Sequence, residues 1–230
     1  MDRLSGIPTL NAGAPDLRLS GDHTQRGTYT QRRRNQMAYG GITEHQSRPG
    51  LERAKKNGVE FVSVSPQKKD MPDFADAQWV PVRPGTDTAL MLAIAYVLEE
   101  QKIADYEFLS SHCVGYERFR QYLLGLSDGI PKTPGWAAKI CSVTEDEIVD
   151  LANKMSKRRT FLSAAWSLQR ADHGEQPYWM MIVLACMLGC VGKPGGGFGF
   201  GYGSEGYIGS SWRRFNWANF PKSFNPTRFA

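Results

Sequence analysis

The sequence predicts a layered α/β domain: a mostly parallel sheet with flanking helices. Three observations carry the prediction. Short apolar or β-branched runs alternate with helical patterns, the order that strand–helix units impose on a chain. Pro84-Gly85-Thr86-Asp87 joins an extended run directly to a helical one, half of a βαβ unit. A strand-like run from Thr160 breaks into a polar cluster, an uncharged helical segment and then a glycine-dense loop. That succession of strand, polar corner, buried helix and exposed backbone is how Rossmann-like α/β sheets assemble ligand sites.

The elements follow in order. Residues 1–44 are crowded with Gly, Gln, Arg, Thr and Asn, show neither helical nor strand periodicity, and read as a poorly ordered or remnant segment. Residues 48–57 predict a short helix closed by Gly58, which takes a left-handed cap cheaply. Residues 59–65 are β-rich and stop at Pro66, and residues 77–82 form a second extended piece. Residues 88–101 carry Leu90, Ala93, Ile94, Val97 and Leu98 at the spacing of a core-facing helical stripe. Short helices are expected at 105–111, 116–124 and 136–140. Thr144 and Glu147 make a capping box that opens a helix to about Lys157. A strand at 160–166 and a helix at 176–191 complete a domain of about residues 45–207, followed by a basic, aromatic tail at 208–230.

Composition narrows the function. At 230 residues, 41% hydrophobic and 22% charged, the chain can bury a sizeable core. Its charge of +5 sits at the ends: residues 1–58 hold ten Lys/Arg against five Asp/Glu, and residues 208–230 hold four against none. Arg32-Arg33-Arg34 therefore reads as a solvated basic run rather than a nucleic-acid patch. Four cysteines without a C-x-x-C pair argue against a structural zinc or iron–sulfur site, and Cys186 and Cys190, four apart on an apolar helix, suit buried free thiols. No signal-peptide pattern opens the chain. The uncharged run from Gln176 to Gly192 falls short of the ~20 apolar residues a spanning helix needs, so no membrane span is expected.

Three runs carry a resemblance. They are Asp76-Ala77-Gln78-Trp79-Val80-Pro81-Val82-Arg83-Pro84-Gly85-Thr86-Asp87, Ala165-Trp166-Ser167-Leu168-Gln169-Arg170-Ala171-Asp172-His173-Gly174-Glu175-Gln176 and Gly192-Lys193-Pro194-Gly195-Gly196-Gly197-Phe198-Gly199. In this order and spacing the chain resembles the molybdopterin oxidoreductases, in the branch that reduces dimethyl sulfoxide, trimethylamine N-oxide and biotin sulfoxide. The resemblance implies a molybdenum cofactor, bis(molybdopterin guanine dinucleotide), and a share of its binding site in this chain. It implies that Asp87 recognises guanine, whose ring N–H and exocyclic amine suit a bidentate carboxylate acceptor, with Gly85 and Thr86 bringing backbone close. The plain alternative is that Asp87 serves the helix N-terminus. Ser65 and Pro66 are implied as nucleotide contacts, against a simple strand exit. Trp166, Ser167 and Arg170 are implied as cofactor contacts, the Arg170 fork suiting pyrophosphate. Gly196 and Gly197, with Gly195, are implied to offer main-chain N–H groups, against a flexible connector. His173 and Glu175 read as an internal polar network.

The departures from that branch are specific. Ala164-Ala165 stands where the branch carries glycines. The serine that ligates molybdenum in the branch lies N-terminal to the matched region, so neither a catalytic residue nor a metal ligand is assigned. The expectation is an internal fragment of an S- or N-oxide reductase. Its partners would be the small-molecule cofactor, the oxide substrate, the remainder of the catalytic polypeptide, and a cytochrome or other electron donor. Such a fragment would be inactive alone. The branch favours a periplasmic address without fixing it. A non-catalytic guanine-nucleotide-binding module is the competing reading.

Overall fold

The computed structural model describes residues 27–32 and 47–200. Its centre is a five-stranded sheet, all neighbours parallel, built from β1 (Gly27–Arg32), β2 (Glu60–Val64), β3 (Gln78–Val80), β4 (Arg159–Ala164) and β5 (Gly197–Phe200). The spatial order is β3-β2-β1-β4-β5. The chain therefore steps outward one way from β1 and then restarts on the other side of it, between β1 and β4.

Two of these strands depart from the expectation. β1 lies in the segment read as poorly ordered, and its Thr-, Gln- and Arg-bearing sequence lacks the apolar run of a buried parallel strand. It pairs over its length with β4 and over four residues with β2, so backbone ladders on both sides define it where side-chain pattern does not. β5 begins inside the glycine loop, whose composition masks a strand that pairs with β4 from Phe161 to Ala164. The expectations for the basic and aromatic tails, and for Arg33 and Arg34, lie outside the described residues.

Seven helices among the described residues surround the sheet: α1 (Ser47–Lys56), α2 (Asp87–Glu100), α3 (Tyr106–His112), α4 (Tyr116–Leu123), α5 (Pro134–Cys141), α6 (Glu145–Ser156) and α7 (Gln176–Met187). Their ends are set locally. Gly58, at φ 83°, donates its N–H to Lys55 O and closes α1 (2.9 Å). Asp105 caps α3 by accepting the Phe108 N–H (2.9 Å), and Thr133 caps α5 ahead of Pro134. Thr144 Oγ1 accepts the Glu147 N–H (3.3 Å) while Glu147 Oε2 accepts the Thr144 N–H (3.1 Å), the reciprocal box expected at α6.

Alternate side chains of β2 enter separate clusters. Phe61 packs with Leu51 and Ala54 of α1 and with Met71 and Ala75. Val62 and Val64 join the main core, with Leu90, Ile94 and Leu98 of α2, Leu151 and Met155 of α6, and Met181 and Leu184 of α7. No helix among the described residues is long and apolar enough to cross a membrane.

Candidate functional site

Because the strands are parallel, their carboxyl ends share one edge, and three loops leave from it. The first leaves β2 at Ser65. Its N–H donates to Val80 O (3.1 Å), extending the sheet by a residue, and its side chain is fully buried. Ser65 Oγ donates to Asp70 Oδ2 and accepts the Gln67 N–H (3.2 Å), while Trp79 Nε1 donates to Ser65 O (2.9 Å). Ser65 thus holds the loop together, and Pro66, exposed, is what the loop presents.

The second loop follows β3. The Arg83 N–H donates to Cys141 O (2.9 Å) at the end of α5, which fixes the turn before α2. Gly85 sits at φ 78°, a left-handed conformation that favours glycine, and a Cβ there would meet nothing within 4 Å. Thr86 Oγ1 donates to Arg83 O (2.7 Å) and does not cap α2. Asp87 opens α2 and is 5% exposed.

The third loop is the turn at Trp166–Arg170 after β4. The Tyr178 hydroxyl donates to Ala165 O (2.7 Å), tying the turn to α7, and burial holds that hydroxyl above its ordinary pKa. Ala164, in the position where glycine was expected, packs into the core, and Ser167 and Arg170 are exposed. Gly174 is buried under this turn, where an added Cβ would lie 2.5 Å from Gln169 C and 2.6 Å from its Cα. Since the obstacle is backbone, Gly174→Ala is expected to cost about 2 kcal/mol and to displace the turn. Thermal unfolding checks this, as a midpoint lowered by several degrees.

Asp87 and Leu168 line one cavity together with Val64, Leu90, Met91, Ala164, Pro177 and Met181. The second and third loops therefore share a wall. The cavity, about 60 Å³ and almost wholly apolar, admits a water or two and no nucleotide base. The exposed rim of this edge carries Pro66, Gly85, Ser167 and Arg170, with Lys68, Lys69 and Arg83 exposed nearby in sequence. The three cations escape the sequence reading because they are scattered; the signal that finds them is position just beyond a strand end. Arg32, read in the sequence only as part of a basic run, is paired in register with Ala164 and ends the central strand.

Gly196 and Gly197 are not brought to this edge. Gly197 opens β5 opposite Phe161, so the glycine loop sits toward the amino ends of the strands. There Arg159 donates to Pro194 O (2.6 Å), and Glu60 is ion-paired with Arg158 and with Lys154 (3.3 Å). The Arg158 hydrogen bond, ahead of the cost of burial, holds the Glu60 carboxyl below its ordinary range. A Cβ on Gly196 would lie 2.7 Å from Cys190 O, so the loop needs glycine for close packing. His173 and Glu175 do approach each other (3.8 Å), but both are exposed, a surface pair rather than an internal network. Among the described residues, no three His, Cys, Asp or Glu side chains are grouped to hold a metal.

The molybdopterin oxidoreductase family model matches residues 45–219. Curated relatives include a biotin sulfoxide reductase of Cereibacter sphaeroides, 44% identical over 74% of this chain and 23% of its own length. A trimethylamine-N-oxide reductase of Haemophilus influenzae is 46% identical over 66% of this chain and 19% of its own. The chain thus spans about a fifth of the length of these relatives. Acetylene hydratase from Pelobacter acetylenicus shares the fold, with a TM-score of 0.61 over 77% of this chain and 24% of that one, at 19% identity.

Proposed function

The chain belongs to the molybdopterin oxidoreductase family, and from that premise we propose that it forms part of a Rossmann-like binding domain for molybdopterin guanine dinucleotide in an S- or N-oxide reductase. The observation that carries the reading is that three loops leave one carboxyl edge and two of them, through Asp87 and the Trp166–Arg170 turn, wall one cavity. The domain comprises residues 45–207 together with β1. Its site comprises Ser65, Pro66, Gly85, Thr86, Asp87, Trp166, Ser167 and Arg170.

The residues fit such a group. Gly85 leaves open space where a side chain would stand, and Thr86 does not cap α2 with its side chain, which supports an anionic group binding at the start of that helix. Asp87 offers guanine a carboxylate held by its helix. Arg170 offers the pyrophosphate a rigid fork of donors. Ser65 contributes from behind, fixing the path of the loop on which Pro66 contacts the nucleotide. When bound, the cofactor supplies the molybdenum centre that removes an oxygen atom from an S- or N-oxide in a two-electron reduction. The protein's own share at this edge is binding and orientation; the oxide, the electron donor and the rest of the polypeptide belong to the complete enzyme.

Calorimetry with guanosine and adenosine diphosphates tests the reading on the 230-residue chain. The guanosine form is expected to bind at micromolar concentration and the adenosine form at least about tenfold more weakly, given the single mismatched edge. Equal affinity, or no binding of either, would overturn it.

A further inference from the structure

Asp70 holds a carboxylate oxygen for which the fold supplies no donor. The residue is 6% exposed, and its Oδ1 is closed to solvent without a hydrogen-bond partner. The other oxygen is committed, since Ser65 Oγ donates to Oδ2. The backbone on either side is anchored. The Asp70 N–H donates to Gln67 O (3.1 Å), and Met71 packs with Phe61, Leu51 and Ala54 in the smaller core. A buried acceptor left unanswered is costly to keep, and such an atom marks a place where something outside the chain brings the missing donor. The loop that carries Asp70 leaves the carboxyl end of β2, on the edge where Asp87 and the Trp166–Arg170 turn also stand. Residues 66–69, between Ser65 and Asp70, are all exposed, so that stretch can shift without unpacking the core.

We infer that Asp70 is a further ligand-binding residue, whose Oδ1 accepts a ribose hydroxyl of the nucleotide at this edge. The chemistry selects that donor. A guanine nucleotide offers a carboxylate two sets of donors, the base edge and the sugar hydroxyls, and its phosphates offer acceptors alone. The base edge is the share of Asp87, so the hydroxyls are what remains for Asp70. An acid beyond a strand end takes a ribose hydroxyl in other α/β dinucleotide sites, for the same reason. The exposed stretch 66–69 moves aside to admit the sugar, while Ser65 keeps Oδ2 and so aims Oδ1 at it. This inference rests on the guanine-nucleotide reading above and deepens it.

The experiment is calorimetry on the 230-residue chain with guanosine diphosphate and with its 2′,3′-dideoxy form, which lacks both hydroxyls. The unsubstituted protein is expected to bind guanosine diphosphate at least about tenfold more tightly, the scale of a hydrogen bond to a charged acceptor. Asp70→Ala should bind the two forms alike. Each ratio is taken within one protein, so a general loss of affinity from a disturbed loop cancels out of it. If Asp70→Ala does not fold, the two ligands on the unsubstituted chain still decide. Equal binding of the two forms there overturns this inference alone, provided guanosine diphosphate still outcompetes adenosine diphosphate. A preference that survives in Asp70→Ala overturns it too, since the hydroxyls are then read elsewhere. If no guanine nucleotide binds, the guanine reading fails first and this inference falls with it.

Discussion

Glu99→Ala is expected to destabilise the protein by about 2 kcal/mol, the cost of removing the charged acceptor of a part-buried hydrogen-bond network. Glu99 is 7% exposed on α2, where its carboxylate collects donors from two other helices. Tyr106 of α3 donates its hydroxyl to Oε2 (3.1 Å), and Tyr116 of α4 donates to the same oxygen (2.6 Å). Arg120 of α4 donates its Nε to Oε1. Alanine would take the carboxylate from all three, leaving Arg120 only Glu117 (3.4 Å) and Tyr106 only the Glu99 carbonyl (3.5 Å), and would loosen α3 and α4 from α2 together. Burial opposes ionisation of Glu99, but the bonds from Tyr116, Arg120 and Tyr106 outweigh it and hold the carboxyl below its ordinary range.

The pH dependence follows from that direction. A depressed folded-state value contributes stability that is fully present above the ordinary carboxylate pKa and is lost as pH falls through the folded value. Urea unfolding between about pH 7 and pH 3 should therefore fall less steeply in Glu99→Gln than in the unsubstituted protein. Parallel curves would show that Glu99 is not a source of acid sensitivity. The hydroxyl of Tyr106, buried and bound to Glu99, is in turn pushed up to about 12, so it remains a donor throughout this range.

Asp87→Asn is expected to weaken guanosine diphosphate about 100-fold while leaving adenosine diphosphate nearly unchanged, the scale of a lost hydrogen bond to a charged acceptor. An ionised carboxylate accepts from both donors of the guanine edge, whereas an amide must present a donor to one of them. Asparagine keeps the volume of this buried position and serves well at a helix start, so the fold should be little affected. A thermal midpoint within a few degrees of the unsubstituted protein, with binding lost, would separate recognition from folding. If guanosine affinity survives, Asp87 serves α2 alone.

Much of the fold was legible where local chemistry is decisive. The Thr144–Glu147 box and the Gly58 cap are read from residue type and spacing, because their partners lie within four residues. The core stripe of α2 is legible for the same reason. β1 was not, since a central strand is specified by two neighbours distant in sequence. The site divides along the same line. Asp87 and the Trp166 corner were found by motif, and parallel strand direction carries both to one edge. The glycine pair was also found by motif, but strand direction carries it toward the other end. Ser65 was named correctly as a strand-end residue, yet only long-range packing reveals that its hydroxyl is committed to Asp70.

The place of β1 has a consequence for how the molecule coheres. Within the sheet, β2 and β4 touch no common strand except Gly27–Arg32. Those six residues are a keystone: without them the sheet would fall into two pieces, each with a raw edge of unanswered amides and carbonyls. A boundary drawn at residue 45, where family likeness begins, would remove the stone and keep the arch.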